Sequence, residues 1–359
     1  MKTDLFDYEL PEELIAQVPI ERRDASRLMV VECGTTSISH HRFDELPGFL
    51  SPGDCLVINT SRVIPARLRA RKTGTGGFVE LLLLEKLSPG RWKAIYRGAR
   101  LRPGSTMELD KGVTAEVEKG RADGEVVVAF GVKDGDALNI EERLESLGEV
   151  PLPPYIHRPL DDSERYQTVY CEREISAAAP SAGLHFTPEL LTSIEGEGVT
   201  VARLELAVGI DTFVPVREED TEDHRMHREW YSLGEDCAGA LNACQGRVVA
   251  VGTTVVRALE SAAVEAGKDG RMVPSSGRTS LFITPGYRFR AVDAVVTNFH
   301  FPRSTLIMLV AAFAGRELLL DAYRLAVDER YRFYSFGDAM LVLAQERRPR
   351  HSPVVTLTS

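Results

Sequence analysis

The stretch SAAAPSAGLHFTPELL, residues 176–191, decides how the fold and the site are interpreted. Its first half is made of alanine, Pro180, serine and glycine, which suits neither a long helix nor a strand. Thr187 can cap a helix and Pro188 suits a first turn, so a helix is predicted to begin there. Small residues and exposed amides ahead of a helix would let an anionic ligand lie against the backbone, facing His185. The alternative is a tight crossing with a hydrogen-bonded structural histidine.

Downstream of this stretch, strand and helix patterns alternate. VTVARLELAVG, RVVAVG and AVDAVVTNF have the pattern of strands, whereas TPELLTSIEGEG, TTVVRALESAAVEAG and RSTLIMLVAAFAG have the pattern of helices. Such alternation builds a parallel sheet or partial barrel with helices outside it. Ligands in these folds bind at the carboxyl ends of the strands.

Residues 61–150 follow a different pattern. Short apolar runs such as FVELLLLEKL, RWKAIYRG and VTAEVEKG are separated by glycine, proline and aspartate turns. Regular spacing of this kind predicts a small antiparallel barrel or sandwich. The proline-rich connection after a short helix pattern, NIEERLESLGEVPLPPYI, marks the end of this region.

Charge is segregated along the chain. The net charge is −10, yet residues 61–102 hold eleven Lys and Arg against two acids, and residues 103–149 hold five against twelve. A local basic face can bind a phosphate backbone on an acidic protein, although an ordinary solvated face has the same composition. Basic residues alternate with apolar ones in NTSRVIPARLRARK, so a strand would present them mostly on one face.

The termini and cysteines indicate the class of protein. The N-terminal segment carries acids and proline in place of a signal peptide, and TLIMLVAAFAG covers about half of the roughly 20 residues of a membrane span. The five cysteines form no CxxC pair. We therefore expect reduced, structural thiols and a cytoplasmic protein.

Two further motifs have the composition of ligand sites. In VVAVGTTVVRALES, Thr253 or Thr254 is expected to cap a helix whose first amides could bind an anion; capping alone explains the threonines equally well. In HRMHREWY, His224, His227 and Glu229 could bind a metal or transfer a proton. The spacing differs from the HExxH zinc motif and no cysteine is near, which favours a surface loop whose histidines serve packing or substrate contact.

The last two motifs lie near strand ends. VTNFHFPRST places Asn298 and His300 after a predicted strand, where ligand contacts are expected in an α/β protein. YRFYSFGDAMLVL surrounds Gly337 and Asp338 with aromatic residues that could stack on a base or fill the core. For the first of these motifs, the alternative is a buried turn with self-satisfied side chains.

Taken together, these motifs resemble one family, S-adenosylmethionine:tRNA ribosyltransferase-isomerase of queuosine biosynthesis. The blocks that carry the resemblance are NTSRVIPARL, LPPYI, RYQTVY, AAPSAGLHFT, GIDTFVPV, HRMHREWY, VVAVGTTVVRALES, FITPGYRF, VDAVVTNFHFPRSTLIMLVAAFAG and YRFYSFGDAML. The resemblance implies an α/β fold with a partly barrel-like α/β main domain, residues 1–60 plus 151–359, and an inserted small antiparallel β-barrel domain, residues 61–150.

The resemblance also implies an activity. The ribosyl part of S-adenosylmethionine would be transferred to 7-aminomethyl-7-deazaguanine at the tRNA wobble position and isomerised to epoxyqueuosine, releasing adenine and methionine. S-adenosylmethionine is then a consumed substrate, and neither a resident cofactor nor a metal is expected. The expected partner is tRNA, with no membrane contact, and the enzyme is expected to be a cytoplasmic monomer.

Residue roles follow as hypotheses. His185 and Glu229 lead the acid/base candidates, because the sulfonium acidifies the ribose 5′ carbon and a positioned base could start the expulsion of adenine. Candidates for the same chemistry also include Asp211, His227 and His300. Candidates for substrate binding are Ser181, Gly183, Thr253, Thr254, Asn298 and Asp338. Candidates for tRNA binding are Arg62, Arg67, Arg69 and Arg71.

The chain departs from the family pattern in expected site segments. Ile175 stands where the family has glycine, Ala207 where it has histidine, and Asp211 where it has glycine, which bears on the acceptor base. Two alternatives are an S-adenosylmethionine-dependent transferase with a different acceptor, such as a methyltransferase, and a non-catalytic tRNA-binding relative. The glycine-rich strand end of methyltransferases is absent from the sequence.

Overall fold

A computed structural model describes residues 1–120, 125–133, 140–209, 216–266 and 270–344. The chain folds as two compact units. The main unit comprises Met1–Arg62, Pro153–Arg173 and the described part of Ala179–Ser359; the barrel unit comprises Val63–Leu152 and Glu174–Ala178.

Strands and helices have the following bounds. The strands are β1 Arg27–Glu32, β2 Ser37–Arg42, β3 Cys55–Asn59, β4 Ser61–Val63, β5 Arg67–Lys72, β6 Phe78–Ser88, β7 Arg91–Gly98, β8 Thr106–Glu108, β9 Val113–Gly120, β10 Glu125–Val132, β11 Arg173–Ser176, β12 Thr200–Leu206, β13 Glu229–Leu233, β14 Val248–Val251, β15 Ser275–Thr279, β16 Ala294–Asn298 and β17 Ala339–Leu343. The α-helices are α1 Ile140–Leu147, α2 Pro188–Gly196, α3 Glu235–Ala243, α4 Thr253–Val264, α5 Thr305–Ala314 and α6 Arg316–Asp328.

Over the residues that the structure describes, nine strands of the main unit form one sheet in the order β15-β13-β12-β3-β14-β16-β17-β1-β2. The centre, β12-β3-β14-β16, is parallel, as the strand–helix alternation predicts. The prediction of a parallel sheet is wrong for the flanks, where β13 pairs antiparallel with β12 and β17 antiparallel with β16. Antiparallel neighbours need no helical crossover, so the alternating pattern does not reveal them.

The central strands explain where the site lies. Every residue of β3, β14 and β16 is buried, as expected for strands covered on both faces. Because these strands are parallel, their carboxyl ends meet at one edge of the sheet. The motifs that follow β14 and β16 therefore come together there.

Helix starts agree with the sequence in two cases and differ in a third. Thr187 caps α2 by accepting a hydrogen bond from the amide of Leu190 at 3.1 Å, and Ser304 caps α5. The expectation that Thr253 or Thr254 caps α4 is wrong. Gly252 occupies the cap position with φ +96°, a conformation that suits glycine, so both threonines are the first helical residues.

In the described part of the barrel unit, six antiparallel strands close in the order β10-β7-β6-β5-β8-β9. Along β5, buried Leu68 and Ala70 alternate with the outward-facing arginines. The predicted fold class, an α/β protein with a small antiparallel β-barrel, is confirmed. No helix in the described ranges is both long and apolar enough to cross a membrane.

Candidate active site

A pocket lies at the carboxyl ends of β14 and β16 in the main unit. Its enclosed volume is about 40 Å³, and the space between protein atoms is about 520 Å³ when open solvent is counted. The pocket is lined by Tyr155, Ala179, Pro180, Ser181, Ala182, Val208, Gly252, Thr253, Thr254, Thr297, Asn298, Phe299, His300, Phe301, Leu306, Tyr334 and Ser335. None of these described lining residues is an acid, a lysine or an arginine.

Sequence motifs far apart in the chain meet in this pocket. The predicted site residues that line it are Ser181, Thr253, Thr254, Asn298 and His300. Thr253 and Thr254 begin α4, so the first-turn amides of that helix lie in the pocket wall. Amides in a first helical turn have no partner within the helix and favour an anion. Small side chains and hydroxyl groups make up this side of the pocket.

Aromatic residues form another part of the pocket wall. Phe301 stacks on Tyr334 with ring centroids 3.8 Å apart, and Tyr155 packs against both rings. Tyr334 has φ +70°, an uncommon backbone conformation for a bulky residue. Flat aromatic faces suit a planar base or a cation without hydrogen-bond donors.

His300 lines the pocket as a buried, neutral imidazole. Its Nε2 is 2.7 Å from the hydroxyl of Thr297, and burial lowers the pKa of His300 to about 3. Of the four acid/base candidates that the structure describes, His300 alone belongs to the lining.

His185 lies outside the pocket lining. Its Nδ1 is 2.7 Å from the Ser26 hydroxyl, its Nε2 is 3.1 Å from Asn298 Nδ2, and its ring stacks on Phe43. Burial, with Arg332 and Arg23 adding to the effect, lowers the pKa of His185 to about 3. The imidazole is therefore neutral and held on two sides, with Asn298 between it and the pocket.

Gly183 is required by packing. A Cβ atom at this position would lie 2.1 Å from the Tyr170 hydroxyl and 2.8 Å from Thr168 Cγ2. Gly183 does not belong to the described glycines with a positive φ, so backbone conformation does not require glycine here. The close approach at this residue is to Tyr170.

Glu229 forms a buried ion pair. Its side chain is 5% exposed and accepts hydrogen bonds from Arg257 and from the amide of Gly209. Arg257 is equally buried and also donates to the carbonyl oxygen of Leu281 at 3.0 Å. This pair joins α4 to the start of β13, beside the pocket wall that Thr253 and Thr254 form.

The other predicted acids and histidines have different surroundings. His227 is exposed, and His224 pairs with Glu218 at 3.0 Å. Asp338 accepts hydrogen bonds from the amides of Arg27 and Arg332, and burial raises its pKa. Asp211 lies outside the described residues. Within those residues, no three His, Cys, Asp or Glu side chains come together as a metal site requires.

Most of the predicted tRNA-binding arginines contact protein groups. Arg62 pairs with Glu164 and contacts Cys171, which raises the pKa of Arg62. In the barrel unit, Arg67 donates to the carbonyl oxygen of Leu152, and Arg69 pairs with Glu149 at 2.9 Å. Arg71 contacts the carbonyl oxygen of Gly76 and, among the residues described, no carboxylate.

Sequence reasoning missed Ser26 and Arg257. Ser26 lies 159 positions from its partner His185, and nothing local distinguishes it from a turn serine. Arg257 did carry a signal: a single charge inside the apolar helix pattern TTVVRAL needs a buried partner.

The fold and the pocket define a mixed α/β protein with a ligand site where its parallel strands end. Residues 3–342 match the model of the family described as queuosine biosynthesis protein. The chain therefore belongs to that family, as its motifs indicated.

Relatives are similar over nearly the whole chain. Proteins named S-adenosylmethionine:tRNA ribosyltransferase-isomerase from Symbiobacterium thermophilum and Rubrobacter xylanophilus are 51% and 53% identical, covering 96% and 98% of this chain and 100% of each relative. The crystal structure of S-adenosylmethionine tRNA ribosyltransferase from Thermotoga maritima is 39% identical, covers 94% of this chain and 100% of its own, and aligns with a TM-score of 0.54.

Proposed function

We propose that this protein is an S-adenosylmethionine:tRNA ribosyltransferase-isomerase. It transfers and isomerises the ribosyl moiety of S-adenosylmethionine onto 7-aminomethyl-7-deazaguanine at the wobble position of tRNA, releasing adenine and methionine. The observation that carries this proposal is about 50% identity, over nearly full length, to relatives with that name. The expected enzyme is cytoplasmic and monomeric and uses S-adenosylmethionine as a consumed substrate.

The pocket supports S-adenosylmethionine as the ligand. Its uncharged lining offers aromatic faces to a sulfonium through Phe301 and Tyr334, and helix amides to a carboxylate through the start of α4. Ser181, Thr253, Thr254 and Asn298 would position the ligand. A bound substrate in this pocket is held largely by fixed dipoles, which favours orientation of the reacting ribose.

We assign proton transfer to His300. Its ring lines the pocket, where the unprotonated form would accept a proton from the ribose 5′ carbon; burial, which lowers the pKa of His300 to about 3, weakens the ring as a base and makes close positioning of the carbon the main contribution. The imidazolium so formed is a strong acid, because burial disfavours its charge, and it can protonate the departing adenine. Glu229 is paired with Arg257 and supports the pocket wall in this scheme.

The tRNA contacts are proposed for one end of the barrel unit, where Arg71, Lys72, Phe78, Arg97 and Arg100 form the barrel-end patch. Phe78 is 51% exposed and lies opposite Arg71 in the β5–β6 register. The Lys72 ammonium contacts the carbonyl oxygen of Arg100 at 2.7 Å. None of the four bases pairs with a carboxylate among the described residues, so their charge is available to phosphates, and Phe78 can stack on a base.

One assay tests the function. Purified protein is incubated with S-adenosylmethionine and tRNA that carries the aminomethyl base, and nucleosides and small molecules are identified by mass. Epoxyqueuosine with equal adenine and methionine is the expected result. Formation of S-adenosylhomocysteine would instead indicate methyl transfer. Tight tRNA binding without consumption of S-adenosylmethionine would indicate a non-catalytic relative.

A further inference from the structure

Asn298 presents a fixed hydrogen-bond acceptor to the pocket. Its side-chain nitrogen lies 3.1 Å from the Tyr334 carbonyl oxygen, 3.4 Å from the Asp338 carbonyl oxygen and 3.1 Å from His185 Nε2. Carbonyl oxygens only accept, so the amide nitrogen must face them and the oxygen must face away. Reversing that orientation would place the amide oxygen against two carbonyl oxygens, which cannot donate.

The oxygen left on the other side lacks a partner. Asn298 is 3% exposed, and its Oδ1 has no hydrogen-bond partner among the residues that the structure describes. Buried polar atoms are nearly always hydrogen-bonded, and an unpaired one is unfavourable. The pocket therefore calls for a ligand group that donates an N–H or O–H at this point.

Ser26 and His185 hold Asn298 in place. Because the amide nitrogen of Asn298 donates to His185 Nε2, the ring proton is on Nδ1 and is donated to the Ser26 hydroxyl at 2.7 Å. Phe43 stacks against the ring at 4.8 Å, which restricts its rotation. His185 thus acts on the pocket through Asn298.

The start of α4 adds a second requirement. Thr253 and Thr254 line the same pocket, and Gly252 begins the helix without a side-chain cap. The first-turn amides favour an anion, while Asn298 Oδ1 requires a donor. S-adenosylmethionine carries one anionic group, the carboxylate, and the ammonium is attached to the same carbon.

We propose that the pocket binds the α-amino-acid group of S-adenosylmethionine. Asn298 Oδ1 accepts a hydrogen bond from the ammonium, the first amides of α4 bind the carboxylate, and Ser26 and His185 are positioning residues that orient Asn298. This inference rests on the proposed function, because it takes S-adenosylmethionine as the ligand.

Calorimetric titration of the full-length protein with substrate analogues tests the inference. The probes are S-adenosylmethionine, its deaminated analogue, its decarboxylated analogue and its inosine analogue. Wild-type protein should bind the deaminated and decarboxylated analogues roughly tenfold to hundredfold more weakly than the substrate, and the inosine analogue with less change. An inosine analogue that alone loses affinity would overturn the proposal, because Asn298 would then serve adenine.

Variants make the test specific. Asn298→Ala should weaken the binding of S-adenosylmethionine roughly tenfold or more but leave the affinity for the deaminated analogue unchanged. Asn242→Ala, a control in α3 outside the pocket lining, should change neither affinity. Equal weakening of both ligands by Asn298→Ala would contradict the assignment. The wild-type analogue series stands even if Asn298→Ala folds poorly, which thermal unfolding will show.

Kinetics separate positioning from catalysis. His185→Ala should raise KM for S-adenosylmethionine with a smaller change in kcat, and His185→Gln, which keeps an acceptor toward Asn298, should restore much of the KM. His41→Ala on β2 is the matched histidine control. Loss of kcat at unchanged KM would overturn the positioning role. If the wild-type protein binds the analogues in the expected order but forms no product, only the proposed function fails. If it does not bind S-adenosylmethionine, the proposed function and the inference about the amino-acid group both fail.

Discussion

The pocket of the main unit and the barrel-end patch of the barrel unit differ in the charge and burial of their polar groups. In the pocket, the polar side chains are uncharged and, apart from half-buried Ser181, buried, and two carbonyl oxygens on one side fix the orientation of Asn298. On the barrel surface, several bases pair with acids, as Arg91 does with Glu118, while those of the patch are exposed or half-buried and pair with no carboxylate among the described residues. In both regions, the group proposed to bind substrate has no side-chain partner among the described residues that would compete with the substrate. Inside the protein that group is an acceptor, and on the surface it is a cation.

The largest effect is expected when a buried ion pair is broken, and an exposed ion pair serves as the comparison. Glu229→Ala leaves Arg257 buried without its carboxylate and should lower the free energy of unfolding by about 3–5 kcal/mol. Glu118→Ala removes an exposed pair and should lower the free energy of unfolding far less, because solvent screens the two charges. Urea unfolding can be followed by Trp230 fluorescence in a Trp92→Phe background for the main unit, and by Trp92 in a Trp230→Phe background for the barrel unit. Similar losses for the two variants would break the contrast.

Acidification should affect the main unit next. His185 and His300 each have a pKa lowered to about 3 by burial, against about 6.5 in the unfolded chain. Below pH 6.5 the unfolded state binds protons that the folded state does not. The free energy of unfolding therefore decreases as the pH is lowered. The loss at pH 5 is roughly 2 kcal/mol per histidine. Urea unfolding at pH 7 and pH 5 measures this loss in the free energy of unfolding. The loss should be smaller in His300→Gln than in wild type. An equal loss would contradict the lowered pKa of His300.

A smaller effect is expected where glycine is required by packing. Gly183→Ala places a methyl group against the Tyr170 hydroxyl and should cost about 1–3 kcal/mol by overpacking. Tyr170→Phe removes the hydroxyl, so the double variant should recover part of the loss. Additive losses in the double variant, measured by urea unfolding, would show that Tyr170 is not the cause.

The smallest expected effect concerns the barrel-end patch. Arg71→Ala combined with Arg97→Ala should weaken tRNA binding severalfold at low salt and reduce the slope of log affinity against log salt by up to about 1–2. Arg91→Ala, which removes a base paired with Glu118, is the control and should change the slope little. Fluorescence anisotropy with labelled tRNA across a salt series measures both. Equal slopes for the double variant and the control would remove the patch from the tRNA-binding surface.

The sequence predicts the fold better than it predicts the site. Continuous apolar runs and turn residues were enough to find β14, β16 and the barrel strands, because burial pattern and turn chemistry are local. The antiparallel pairing of β17 with β16 is not local, since these strands are distant in the chain. Thr253 or Thr254 was expected to cap α4, but Gly252 takes that place with φ +96°, a conformation that glycine tolerates, and the anion site at these residues stays a prediction.

For the site, the motifs predict which loops meet but not which way side chains face. Asn298 and His300 follow a strand end and do line the pocket. His185, four residues after Ser181 in the decisive loop, lies behind Asn298 because Ser26 and Phe43 hold its ring. Contacts at such sequence separation depend on tertiary packing and have no local signature. The assignment of catalytic roles stays a prediction.

The backbone of Tyr334 has a consequence for how wide the pocket can become. A φ of +70° at a tyrosine is unfavourable by about 1–3 kcal/mol, which the stack on Phe301 and the surrounding loop must offset. Rotation to negative φ would relieve that strain but would cost the stack on Phe301 and disturb the Tyr334 carbonyl oxygen, which accepts a hydrogen bond from Asn298 at 3.1 Å. Tyr334→Gly would separate the two contributions, because it accepts the same backbone angle and lacks the ring.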